Sequence, residues 1–94
     1  MNKATIQKCE QTAPILKLLS HPRRLFVLCV LSDGELTVGE LEKRSELSQS
    51  LLSQFLAKMR SEGLVTSRKE GRFSLYRIAD TRIEKLIKTM HGIF

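Results

Sequence analysis

Tryptophan is absent from these 94 residues, which hold one tyrosine and four phenylalanines. With so few large rings, a core has to be built from Leu, Ile, Val and Met. Cysteine occurs twice, at Cys9 and Cys29. Two cysteines do not make a disulfide framework, and in a reducing compartment each defaults to a free thiol. Histidine also occurs twice, at His21 and His91, and no His-containing constellation suggests a nucleophile with its base. A Gly-rich phosphate loop is missing too, so catalysis is not expected, nor is a cofactor. No apolar run reaches the length of a membrane span, and MNKATIQKCEQ has no secretory apolar region. A soluble, cytoplasmic chain that does not engage a membrane is the expectation. With no repeat, low-complexity tract or linker, residues 1–94 read as one domain.

What the chain does have is positive charge, +6 in formal terms, and the charge is unevenly placed. Residues 1–24 carry five basic residues and one acidic, residues 33–46 two and five, and residues 60–77 five and two. Two basic blocks around an acidic one fit a polyanion partner. A solvated surface with a chance excess of Lys and Arg would give the same totals.

Periodicity divides the chain into helices and one hairpin. A first helix is expected over about residues 4–19, with Ile6, Cys9, Ala13 and Leu16 as its apolar stripe. Pro14 interrupts it and Thr12 can cap a new turn, so a kinked or two-piece helix is expected. Ser20-His21-Pro22 opens a second helix, in which Leu25 to Leu31 is apolar on every side and should be buried. Ser32-Asp33-Gly34 is a turn signal, and Glu35-Leu36-Thr37 is short enough to be extended. Thr37 with Glu40 three residues on makes a capping box for a third helix. Ser48 caps a fourth, which stops at Gly63.

Residues 64–68 and 73–78 read as two strands joined by Lys69-Glu70-Gly71-Arg72, with Gly71 supplying positive φ. A last helix over about residues 80–94 carries Ile83, Leu86, Ile87, Met90 and Phe94. The expected fold is therefore mainly α with a small β-hairpin, in the order α-α-α-α-β-β-α. This is a winged helix-turn-helix, with the helix-turn-helix over about 38–61 and the wing over about 64–78.

The fourth helix carries the functional signal. Leu52, Phe55, Leu56 and Met59 share its core-facing stripe, while Ser50, Ser53, Gln54 and Ala57 lie opposite. Small hydroxyls and amides on an exposed helix suit the major groove, where they meet base edges without bulk. Arg68, Lys69 and Arg72 would sit at the wing tip, in reach of phosphates or the minor groove. Taken alone the hairpin reads as structural; beside a helix-turn-helix it reads as a wing.

SHPRRLFVLCVL and ELTVGELEKRSELSQSLLSQFLAKMRSEGLVTSRKEGRFSLYRI closely resemble the ArsR/SmtB family of bacterial winged-helix repressors. The resemblance runs from about Leu16 to the end of the chain. It implies a homodimer held by the first and last helices, a palindromic operator in double-stranded DNA, and release when an inducer binds. Carried over by position, it implies base reading by Gln49, Ser50, Ser53 and Gln54, with Lys58 and Arg60 nearer the backbone. Phe55 stands where the family commonly has His. Being on the apolar stripe, Phe55 is expected in the core.

Many members of the family sense metals. Here ELTVGEL has Thr37 and Gly39 where one common site has its cysteines, and neither is a soft-metal ligand. Asp80 matches a second site on the last helix, but Arg82 replaces its first His, and no acid follows His91 at the required spacing. No metal ligands are therefore assigned; a metal-responsive repressor with a non-standard site is the alternative. LFVLCVLSDGELTVGELE resembles instead the branch containing BigR, HlyU and related persulfide or redox sensors. That resemblance implies thiol sensing at Cys29, with a reactive sulfur species or oxidant as inducer and a second cysteine on the last helix. The match runs through KTMHGIF to Phe94, where the second cysteine would follow; either that residue lies beyond Phe94 or it is absent, in which case Cys9 on the first helix is the candidate partner. A bridge requires Cα atoms within about 7 Å. A cysteine in an all-apolar helix also reads simply as a small buried hydrophobe. A different alternative is a winged-helix protein-interaction module working through Glu40, Glu42 and Glu46.

Overall fold

The computed structural model describes residues 2–94. Its elements are α1 (Lys3–Leu19), α2 (Pro22–Leu31), β1 (Leu36–Thr37), α3 (Val38–Ser45), α4 (Gln49–Ser61), β2 (Val65–Glu70), β3 (Phe73–Ile78) and α5 (Thr81–Ile93). This is a winged helix-turn-helix, mainly helical as the sequence predicts. One element is added: β1 pairs with β3 through Leu36↔Tyr76 and Thr37↔Leu75, making a three-stranded antiparallel sheet in the order β1-β3-β2. Two residues are too few to show a period, so the strand exists because β3 offers it an edge.

The helix ends follow from local chemistry. Thr37 and Glu40 form the reciprocal capping box: Glu40 N–H donates to Thr37 Oγ1 at 3.1 Å, and Thr37 N–H donates to Glu40 Oε1 at 3.0 Å. Ser48 Oγ accepts from Leu51 N–H at 3.2 Å and starts α4. That helix ends in a Schellman motif, with Leu64 N–H on the Met59 carbonyl, Gly63 N–H on the Arg60 carbonyl, and Gly63 at φ 77°. Between α3 and α4 the chain turns through Glu46 at φ 58°, and Ser45, buried, accepts the Leu47 N–H at 3.3 Å. The β2–β3 loop is only Gly71-Arg72; positive φ falls on Gly71 (61°) and not on Arg72, the pattern of a type II′ turn.

The core is aliphatic. Val27, Leu28 and Leu31 of α2 sit at its centre, with Leu41 of α3, Leu52, Leu56 and Met59 of α4, and Ile83 and Ile87 of α5. Three expectations need correction. α1 is one continuous helix with Pro14 inside it. Pro14 and Glu10, whose carbonyl loses its partner, are both exposed, so water can take the orphaned acceptor. α2 is not buried on every side: Phe26 is 46% exposed, because one flank of this central helix faces out of the subunit. Phe55 is only half-buried, its ring against that of His21 at 5.7 Å, so it packs at the core's rim.

α1 barely touches the rest of the chain. Every residue from Asn2 to Pro14 is exposed, and Ile15 is the first to meet the core. An amphipathic helix with a proline and no cover is marginal in water. Its stripe residues Ile6 and Leu16 are 42% and 50% exposed, and Leu86, Ile93 and Phe94 of the last helix are exposed as well. The two terminal stripes therefore differ. That of α5 splits between the core (Ile83, Ile87) and solvent, whereas that of α1 faces solvent throughout.

Candidate nucleic-acid interface

α4 presents one face to the core and one to solvent. Leu52, Leu56 and Met59 lock it down, each at 1% exposure or less. Gln49, Ser50, Ser53 and Gln54 are all exposed on its outer side, with Ala57, Lys58 and Arg60 continuing the face. Gln49 and Ser53, and Ser50 and Gln54, stand four residues apart and so lie one above the other. This row has no bulky or acidic member. The second helix of a helix-turn-helix is the one that enters the major groove, leading with its N-terminal residues. Gln49 and Ser50 are the first two residues of α4.

Shallow depressions flank the helix on both sides. One, of about 400 Å³, lies towards the sheet and is lined by Ser53, Ala57, Arg60 and Tyr76 among others. Tyr76 carries no local signal, since its place beside α4 depends on how β3 packs. The other, of about 320 Å³, lies between α4 and the start of α2 and is lined by His21, Arg24, Gln54, Phe55 and Lys58 with Leu51.

The wing places its three predicted cations differently. Lys69 and Arg72 are exposed near the hairpin tip, and the Arg72 guanidinium lies 5.4 Å from the centre of the Phe73 ring. Arg68 is engaged: its Nε and Nη2 donate to the two Glu35 carboxylate oxygens at 2.9 and 3.1 Å, and its Nη1 lies 3.1 Å from Glu70. The hydrogen bond from Arg68 holds the Glu35 carboxyl below the usual range, and the same bond raises Arg68.

A second ion pair had no signature in the sequence. Arg24 Nη1 donates to the Leu18 carbonyl and to Glu62 Oε2, both at 3.1 Å, tying the end of α1 and the start of α2 to the cap of α4. The two partners are 38 residues apart, and only the tertiary fold brings them together.

The acidic surface is less available than its sequence suggests. Glu40 is used in the capping box, and the Thr37 backbone N–H lowers its carboxyl. Glu42 is half-buried and Glu46 exposed. At the start of α5, Arg82 grips Asp80 through bonds of 2.7 to 3.2 Å, and this guanidinium holds the Asp80 carboxyl down to about 2. Among the described residues, no three His, Cys, Asp or Glu side chains converge as metal ligands would.

Both cysteines are free thiols. Cys9 is exposed on α1. Cys29 is half-buried against the core in α2, and burial pushes its thiol up, away from the thiolate. The Cys29 carbonyl accepts from Ser32 Oγ at 2.7 Å and Ser32 N–H at 3.2 Å, closing the helix end.

Residues 21–67, from the cap of α2 into β2, match the family described as bacterial regulatory protein, arsR family. The chain belongs to that family. The transcriptional activator HlyU of Vibrio cholerae is 43% identical across all of this chain and 88% of its own length. Its reduced form, solved as a structure, superimposes with a TM-score of 0.84 at 40% identity over 99% of this chain and 98% of that one. The transcriptional repressor BigR from Xylella fastidiosa gives a TM-score of 0.85 at 36% identity over 100% and 97%. A homodimeric winged helix-turn-helix DNA-binding domain from Mycobacterium bovis gives 0.75 at 28% identity over 99% and 86%. These relatives put the arsR-family chain in the HlyU/BigR-like branch. It is a transcriptional regulator, and none of these relatives is described as an enzyme.

Proposed function

We propose that this regulator is a homodimer that reads a palindromic operator in double-stranded DNA and lets go when a cysteine is modified. The observation that carries the DNA reading is the exposed neutral row on α4, Gln49, Ser50, Ser53 and Gln54, flanked by Lys58 and by Lys69 and Arg72 of the wing. Amide and hydroxyl side chains read base edges, and the cations position the helix on phosphates. The dimer rests on α1. A helix with an uncovered stripe needs a partner, and the M. bovis relative is described as homodimeric. Activator and repressor are both names carried by relatives, so the sign of regulation follows from the promoter, with repression or anti-repression as the two forms.

The test is fluorescence anisotropy against the chain's own promoter and random DNA across a salt series. Gln54→Ala should lower operator affinity about 10-fold while leaving random binding nearly unchanged, since a good side-chain to base pair discriminates by about 1–3 kcal/mol. Arg72→Ala should weaken both equally and flatten the salt slope by about one. Equal affinity of the wild-type chain for promoter and random DNA would sink this reading.

For release, Cys29 is the sensing thiol and Cys9 its candidate partner. Cys29 packs against the core from α2, so a sulfur or oxygen atom added there disturbs how that helix packs. Burial raises the thiol's pKa, so less of it is thiolate than at an open cysteine. Peroxide or polysulfide treatment should lower operator affinity in the wild type, and in Cys29→Ser it should do nothing. A Cys29→Ser protein that still releases DNA on treatment would exclude this sensor.

A further inference from the structure

The wing's arginine is held by acids on both sides. Glu35 stands just before β1, and Arg68 lies in β2, with β3 between them in the sheet. To reach Glu35, the Arg68 side chain must lie back across β3 instead of extending from the wing. It does so as a fork on a carboxylate, with Nε and Nη2 on the two Glu35 oxygens at 2.9 and 3.1 Å. Its remaining nitrogen, Nη1, is 3.1 Å from Glu70. All three guanidinium nitrogens are thus committed, and the trio carries a net charge of −1. A phosphate approaching Arg68 would meet two carboxylates with it. Neither Lys69 nor Arg72 has a carboxylate partner among the described ion pairs.

We propose that Glu35 holds Arg68 off the DNA, so that the wing tip meets phosphates through Lys69 and Arg72 without it and sequence-independent affinity is kept low. This rests on the DNA-reading function proposed above. Each phosphate contact adds to binding of every sequence alike, whereas only base contacts discriminate. A regulator that finds one operator among many random sites gains by limiting the first term. Removing Glu35 leaves Arg68 with the single contact to Glu70, and with the two side chains 53% and 65% exposed that contact is too weak to hold the arginine back from a phosphate.

The test is a double-mutant cycle on random duplex DNA with wild type, Glu35→Gln, Arg68→Gln and the double variant. Glu35→Gln should bind about 5-fold more tightly near 0.1 M salt, and its log–log salt slope should steepen by about 0.9, the value for one added phosphate contact. Arg68→Gln alone should bind like wild type. Adding Glu35→Gln to Arg68→Gln should bring no gain, because there is no arginine left to free. If Glu35→Gln tightens binding equally in both backgrounds, the effect is mere loss of a negative charge and the proposal is overturned. A loss of affinity in Arg68→Gln as large as in Arg72→Gln also overturns it, since Arg68 would then already be on the phosphate. If no protein in the cycle binds duplex DNA at low salt, the DNA-reading function falls with it; operator preference in the wild type with an additive cycle removes only the role of Glu35.

Discussion

Glu62→Ala should lower stability by about 3 kcal/mol, the range for breaking a buried ion pair by removing one partner. The side chains of Arg24 and Glu62 are only 12% and 19% exposed. Without Glu62, the Arg24 charge stays in that setting with the Leu18 carbonyl as its remaining acceptor. For a domain of this size the loss corresponds to a fall in Tm of roughly 12–24 °C, read at fixed protein concentration because a dimer's Tm depends on it. The pair is also imperfectly satisfied. Arg24 Nε and Glu62 Oε1 are buried with no hydrogen-bond partner, although Oε1 lies 3.1 Å from Arg24 Nη1. An apolar replacement of both, Arg24→Met with Glu62→Leu, should therefore recover most of the loss. A Glu62→Ala protein that melts within a degree or two of wild type would show that solvent reaches the pair. By contrast, Arg82–Asp80, with Arg82 83% exposed, should count for little, because water screens the pair.

Leu16→Glu should turn the dimer into monomers and lower operator affinity by about 100-fold or more. Leu16 is 50% exposed within one chain and is not part of the core, so a glutamate there costs the single subunit little. In a symmetric dimer the same patch meets its own copy, and two glutamates would be buried face to face. Operator binding then loses the link between two half-site readers, which is worth a factor of about 10²–10⁴. Sedimentation would report the change in mass, and anisotropy the loss of affinity. The hydrogen-bonded caps of α3 and α4 lie far along the chain from Leu16, and the monomer should keep them. A Leu16→Glu protein that sediments as a dimer would move the interface away from the α1 stripe.

The helix ends were legible because their determinants are local. Thr37 with Glu40, Ser48, Gly63 and Gly71 each act within a few residues, and each does so here as its residue type dictates. The outer row of α4 was legible for the same reason: Leu52, Leu56 and Met59 mark the inner side, and helical geometry puts Gln49, Ser50, Ser53 and Gln54 on the other. Pro14 shows the limit of a local rule. A proline removes one hydrogen bond wherever it sits, yet whether a helix breaks depends on what can satisfy the freed carbonyl, and on an exposed face water does.

Sequence by itself determined the order of helices and hairpin, the core stripe of α4 and the neutral face opposite it. Three things were decided only by tertiary structure: the addition of β1 to the sheet, the Arg24–Glu62 tie between three helices, and the capture of Arg68 by Glu35. Periodicity and capping are written within a turn or two of chain, whereas an ion pair spanning 38 or 33 residues is written nowhere until the elements pack. Charge shows the difference most plainly. Counting residues 60–77 makes Arg68 one more wing cation, and packing β1 against β3 brings Glu35 to it, so that of the three cations near the wing tip only Lys69 and Arg72 keep free charge.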